Sequence, residues 1–264
     1  NRKNSSRFIM KFKNPNILLQ NNLKILENNK RQGQLKLSFL SNKLDLEYKY
    51  DKNEISLTSK QDLNSPFTIS GNINLNPFFF NFNTDLKDQK IDVLIKYLLL
   101  NYFNFKERIH PNLNGTISIN LKNIKNAYLN NGFLKFNFNN SKVIIDDNKL
   151  NVRNIGEIVI KNNSFYEVDG NVFFSADLIL NITDQKEFYR RFSIPIKNRI
   201  NLNKIFLTVE KNIDNDSYLI YNFFINNNPI NTQNKQDINN IYKYQFDNFQ
   251  KFRNVIKENF NRTS

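Results

Sequence analysis

The chain has 264 residues, of which 39% are hydrophobic and 14% aromatic, and a formal net charge of +14. That length suits one large domain or two modest ones, with enough apolar residues to bury a core. It has no cysteine, which excludes disulfides, thiolate metal sites and a Cys nucleophile, and its single histidine, His110, leaves a zinc site without ligands.

Phe contributes 25 residues and Trp none, and Asn makes up about a fifth of the chain, far above ordinary usage. The Asn residues interleave with apolar ones rather than forming polar tracts, so the excess reads as a bias of base composition. The positive charge favours anionic partners. Lys and Arg are dispersed along the chain, which suits a generally basic surface better than a nucleic-acid footprint. The chain opens on Asn1 and reads as a piece of a longer protein.

Taken in order, Phe8, Met10 and Phe12 alternate with Ile9, Lys11 and Lys13. After Asn14-Pro15, Ile17, Leu19, Leu23 and Ile25 continue on odd positions, and Gln32-Gly33 is expected to turn the chain. Residues 43 to 51 alternate without exception. Leu44, Leu46, Tyr48 and Tyr50 take the even positions, and Lys43, Asp45, Glu47, Lys49 and Asp51 the odd ones. Asp51-Lys52-Asn53 turns, and Ile55 and Leu57 begin a return strand, which makes a hairpin with one wet face. Phe67, Ile69, Gly71, Ile73 and Leu75 face one way up to Pro77. Phe78, Phe79, Phe80 and Phe82 follow as either a buried strand or an exposed apolar rim.

The period changes next. Ile91, Leu94, Ile95, Leu98 and Tyr102 fall on one helical face and predict an internal helix within about 87–105. This segment is shorter than the ~20 apolar residues a membrane helix needs. Strands resume with Ile117, Ile119 and Leu121, then Leu134, Phe136 and Phe138. Asp146-Asp147-Asn148 is expected to turn. Ile155 to Ile160 form a strand, and the longest stripe runs from Val168 through Val172, Phe174, Leu178 and Leu180 to Ile182. A single strand of that length would need a bulge or bend. Two more strands fit 200–209 and 217–226. The apolar spacing over 232–264 predicts a C-terminal amphipathic helix, docked on the sheet or lying on a membrane surface.

No residue pattern suits catalysis. The chain lacks a G-x-S-x-G elbow and a P-loop, and its six glycines do not supply a dinucleotide cradle. His110 stands alone before Pro111 in an expected loop, and no calcium-loop pattern accompanies Asp146 and Asp147. The expectation is a non-enzyme without catalytic residues, metal or cofactor. Aromatics and lysines are segregated, Tyr48 and Tyr50 lying opposite Lys43 and Lys49, which counts against a nucleic-acid stacking platform.

An apolar face repeated on strand after strand fits a sandwich or closed barrel, a transmembrane barrel, or a curved open sheet that holds acyl chains. Lys13-Asn14-Pro15-Asn16-Ile17, Leu113 to Ile119 and Asn154 to Ile158 resemble segments of the AsmA-like envelope proteins. Val172 to Ala176 and Glu187 to Phe192 are similar to the C-terminal region of that family. The resemblance covers roughly residues 65–228. It implies an elongated β-groove that carries phospholipid across the periplasm, anchored in the inner membrane by a segment missing from this chain.

The expected fold is therefore mainly β: an elongated, curved antiparallel sheet, groove or open-barrel-like, over 1–231, with the C-terminal helix in 232–264. The expected lipid-contacting residues are Leu44, Leu46, Tyr48, Tyr50, Phe67, Ile69, Ile73, Leu75, Ile117, Ile119, Leu134, Phe136, Phe138, Val172, Phe174, Leu178 and Leu180. Phospholipid acyl chains, an anionic membrane surface and other envelope proteins are the expected partners, with nucleic acid excluded. The competing reading is a structural or adhesive β-sandwich of the cell envelope.

Overall fold

The computed structural model describes residues 5–12, 17–25, 30–39, 42–60, 65–90, 112–139, 142–212, 218–229, 244–246 and 249–262. The protein is mainly β, and its chain divides into two compact units. Unit 1 comprises residues 1–125 and 133–144, and unit 2 comprises 126–132 and 145–264.

In unit 1, β1 (Ser5–Phe12), β2 (Ile17–Ile25), β3 (Arg31–Phe39), β4 (Asn42–Asp51), β5 (Glu54–Ser59), β6 (Phe67–Leu75) and β7 (Phe78–Lys87) pair antiparallel in sequence order. β8 (Gly115–Lys122) then pairs parallel with β7. The sheet is therefore mixed rather than wholly antiparallel. Parallel pairing requires a crossover connection of a dozen or more residues, and the chain between Lys87 and Gly115 supplies it. The internal helix expected at 87–105 falls on this connection. β7 continues as strand to Lys87, and residues 91–105 lie outside those described, as does His110.

The alternating residues of β4 behave as their pattern demands, because a period of two sends successive side chains to opposite faces. β2 departs from it at one end, where Asn21 is buried and Ile25 is exposed. Gly33 does not turn the chain, contrary to expectation. It sits inside β3 opposite Tyr48, and a Cβ there would overlap the Tyr48 ring. The glycine makes room for an aromatic neighbour rather than for a bend.

β9 (Leu129–Asn139) and β10 (Lys142–Val152) are divided between the two units. β10 runs straight through Asp146-Asp147-Asn148, so the turn expected there does not form.

Unit 2 continues with β11 (Gly156–Val168), β12 (Asn171–Ile182), β13 (Lys204–Asn212), β14 (Tyr218–Ile225) and the short β15 (Asn228–Pro229). All are antiparallel neighbours in sequence order. β16 (Tyr244–Phe246) also pairs with β14. The stripe read as one long strand from Val168 to Ile182 is broken by a hairpin. Asp169 and Gly170 have φ of 50° and 74°, as the two central residues of a primed turn require. Asn226 and Asn227, at 50° and 69°, repeat the device between β14 and β15. Part of the Asn excess thus serves left-handed turn positions, where Asn costs less than other non-glycine residues.

Two helices belong to unit 2, α1 (Gln185–Phe192) and α2 (Phe249–Arg262). Asp184 caps α1 by accepting a hydrogen bond from the Glu187 amide at 2.9 Å, and Ser193 ends it in the left-handed conformation at φ 54°. The first device satisfies an orphan amide of the first turn, and the second closes the last carbonyls. α2 presents Val255, Ile256 and Phe260 to the same core as Phe188, Tyr189 and Phe192 of α1. The C-terminal helix therefore docks on its own sheet.

Candidate functional site

Cross-strand register decides which residues share a face, because directly opposed side chains point the same way. In unit 1 the rows are unambiguous. Tyr48 opposes Leu57, Leu57 opposes Gly71, Gly71 opposes Phe82, and Phe82 opposes Ile117. One row along, Tyr50, Ile55, Ile73, Phe80 and Gly115 align; in a third, Phe67, Leu86 and Leu121 align. Ile69 meets Thr84 and Ile119, and Leu37 and Leu35 meet Leu44 and Leu46. Phe138 joins the same face through its ring, 5.3 Å from that of Phe80, and the strand period puts Phe136 and Leu134 beside it.

The expected residues Leu44, Leu46, Tyr48, Tyr50, Phe67, Ile69, Ile73, Leu75, Ile117, Ile119, Leu134, Phe136 and Phe138 therefore lie on one face of unit 1. Leu44, Leu46, Ile119 and Leu134 are buried, and Tyr48, Tyr50, Ile117, Phe136 and Phe138 are half-buried. At one hairpin end, Leu75 and its partner Phe78 remain 41% and 39% exposed. The Phe run is thus both buried and rim: Phe80 is buried, while Phe78 and Phe79 are exposed. Aromatic packing steadies the face, with Phe80 stacked 5.7 Å from Phe82.

The opposite face of unit 1 is polar along the same strands. Lys36–Asp45, Gln34–Glu47, Lys49–Ser56, Ser56–Asn72, Asn72–Asn81, Asn81–Thr116 and Asp85–Asn120 are its register pairs. Asp85 accepts from Asn120 and from Lys122 Nζ, each at 2.8 Å, and the lysine ammonium holds its carboxyl below the ordinary range. Lys30 does the same for Asp51, also at 2.8 Å. These exposed pairs contribute little stability individually. Their consequence is chemical: charge stays off the apolar side.

Unit 2 also has an apolar face, but its own helices cover it. Leu180 opposes Ile158 and Ile205, Leu178 opposes Ile160 and Leu207, and Ile225 opposes Ile205. Against this layer pack Phe188, Phe192, Ile256 and Phe260, the first and last with no exposed surface. The Phe188 ring lies 4.5 Å from Phe192 and 5.8 Å from Phe260, which ties α1 to α2. Of the expected residues in this unit, Leu178 and Leu180 lie beneath the helices. Phe174 pairs with Phe165 at a ring distance of 4.7 Å, and Val172 opposes Glu167 at the hairpin end.

α1 falls outside the elements expected from periodicity. The signal was present: Asp184 and Glu187 stand at cap and first-turn positions, with Phe188 and Phe192 four residues apart. Glu187 accepts from Arg190 Nε and Nη2 at 2.7 Å each and from Arg191 Nη2 at 2.9 Å. The two guanidinium groups pull its carboxyl down to about 2. Tyr189 donates its hydroxyl hydrogen bond to the Ile200 carbonyl while its ring stacks under Arg199, 5.3 Å away.

Among the described residues no three or more His, Cys, Asp or Glu side chains converge as a metal site, and no helix is long and apolar enough to cross a membrane. No family model, curated protein or solved structure matches the chain.

Proposed function

We propose that the chain is a non-enzymatic lipid-binding segment of a bacterial envelope protein, of the bridge-like phospholipid-transport kind that the AsmA-like resemblance implies. The observation that carries the reading is the register of unit 1. It aligns apolar side chains across consecutive strands on one face and leaves the other face polar. Acyl chains lie along the apolar face while headgroups stay in water. Each buried CH₂ contributes about 0.8 kcal/mol, so two chains hold a lipid without a dedicated pocket. The exposed Leu75 and Phe78 give an apolar end to the face where a chain can enter.

In this reading the protein works in the periplasm, anchored at the inner membrane through a part of the protein outside this chain. The excess of 14 positive charges attracts anionic membrane surfaces. Nucleic acid is an unsuitable partner. Lys36, Lys49, Lys87 and Lys122 stand on the face away from Tyr48, Tyr50, Phe80 and Phe82, whereas stacking platforms need both on one face.

The competing envelope reading, a structural sheet protein with a closed core, draws its support from unit 2, where helices cover the apolar face. Organic extraction of the full chain purified from bacterial cells, followed by mass spectrometry, separates the two. The lipid reading predicts phospholipid retained in stoichiometric amount through gel filtration, and protein free of lipid would defeat it.

A further inference from the structure

The link between α1 and β13 in unit 2 is inside out. It leaves the core at the buried Ile194 and returns to it at the buried Leu202. Between them Asn198 is turned inward at 4% exposure, while Ile196 stands out at 81%, the highest value among the large hydrophobic residues described. Lys197, Arg199 and Ile200 are exposed beside it.

The inversion is held in place. Asn198 donates its side-chain amide to the Asn261 side chain of α2 and its backbone N–H to the Pro195 carbonyl, the second at 3.0 Å. The Arg199 N–H closes the same 3₁₀ turn (Ile196–Asn198) on the Ile196 carbonyl at 3.1 Å. Arg199 Nε donates to the Ile194 carbonyl at 3.1 Å, and the Tyr189 hydroxyl donates to that of Ile200. A single exposed isoleucine is ordinary. An isoleucine outside and an asparagine inside the same short turn is not, because a loop that only joined two elements would gain by exchanging them.

The charge around the loop has one sign. Within residues 185–204, Lys186, Arg190, Arg191, Lys197, Arg199 and Lys204 stand against one carboxylate, Glu187, which Arg190 and Arg191 already share. A bilayer with anionic headgroups offers an apolar layer for isoleucine and, directly above it, phosphates for cations whose methylene stems reach back to headgroup level. An acidic protein surface would answer the charge and leave Ile196 in water.

We propose that residues 195–200 are a membrane anchor that seats unit 2 on an anionic bilayer, with Ile196 entering the acyl boundary and Lys197 and Arg199 meeting headgroup phosphates. The inference rests on the reading that the protein meets membranes, and not on acyl chains lying along the unit 1 face.

Cosedimentation of the full chain with vesicles of phosphatidylcholine, alone or mixed with phosphatidylglycerol, tests it. The mixed vesicles should bind about tenfold more tightly or better, since each cation at the surface is worth about fivefold. Ile196→Asp should cut that binding about tenfold or more, and Lys197→Gln about fivefold. Both positions are exposed, so the fold should be unaffected. The chain has no tryptophan, so Ile196→Trp supplies a single fluorescent reporter whose emission should shift to the blue on the mixed vesicles. Phe136→Asp should lower retained lipid and leave vesicle binding unchanged, which separates the anchor from the unit 1 face. Failure to bind the mixed vesicles, undiminished binding in Ile196→Asp, an unshifted Ile196→Trp emission on bound protein, or polyglutamate held as tightly as the mixed vesicles would each overturn the proposal.

Discussion

Replacing Phe188 by Ala is expected to destabilise unit 2 by about 3–5 kcal/mol, the range for deleting a fully buried aromatic side chain. The side chain has no exposed surface and touches the rings of Phe192, Tyr189 and Phe260. Its loss leaves a void between α1, α2 and the sheet, beside a cavity already about 210 Å³ in volume. A helix of eight residues has little stability of its own, so α1 depends on this packing to stay folded. Phe188→Leu keeps most of the volume and should cost under about 1.5 kcal/mol. Denaturant titration followed by circular dichroism reads both. A Phe188→Ala cost below 1 kcal/mol would mean that α1 does not pack on the sheet in solution.

The second large effect concerns lipid retention. Phe136→Asp places a carboxylate on the apolar face of unit 1, where Phe138, two residues along, already packs against Phe80. A carboxylate beside an acyl chain loses water without gaining a partner. Even the cost of an unpaired neutral polar group, about 1–3 kcal/mol, lowers affinity roughly fivefold to 150-fold, and a carboxylate costs more. Lipid extracted per protein should fall accordingly, with the folded signal retained because Phe136 is only half-buried. Asn83→Asp, on the polar face of the same unit opposite Ser70 and Ser118, should leave lipid content unchanged. Equal loss in both variants would point to charge rather than to the face.

Much of this architecture is legible in the sequence because it depends on period. β4 alternates without fault, and the structure keeps Leu44 and Leu46 buried while Asp45, Glu47 and Lys49 are exposed. The helical spacing of Phe252, Val255, Ile256 and Phe260 likewise appears as α2 docked on its sheet. Local signals mislead where a tertiary neighbour decides. Gly33 looks like a turn, but the Tyr48 ring across the strand pair explains its missing side chain. Asp146-Asp147-Asn148 has turn composition, yet β10 carries the chain through it. Asp169-Gly170 is the opposite case. It is a strong hairpin signal, obscured because apolar residues keep the same parity on both sides of it.

Parallel pairing of β7 with β8 leaves no mark on periodicity, since both strands alternate whichever way they run. The cavity under α1 and α2, with Arg191 in its wall, is invisible for a similar reason. It joins Tyr128, α1, α2 and five strands, β9 to β13, across more than a hundred residues of sequence. The division of labour between the units is also spatial. Apolar stripes of equal quality in β4 and β12 end on different kinds of face, one under helices of its own unit and one not so covered among the described residues.

The central claim is that the apolar face of unit 1 meets acyl chains. A photo-crosslinking amino acid placed singly at Glu47, Tyr48, Lys49 and Tyr50 in growing bacteria tests it most directly, because adjacent positions occupy opposite faces. The account predicts phospholipid adducts at Tyr48 and Tyr50 and none at Glu47 and Lys49. Adducts at none of the four, or equally at all of them, would contradict it.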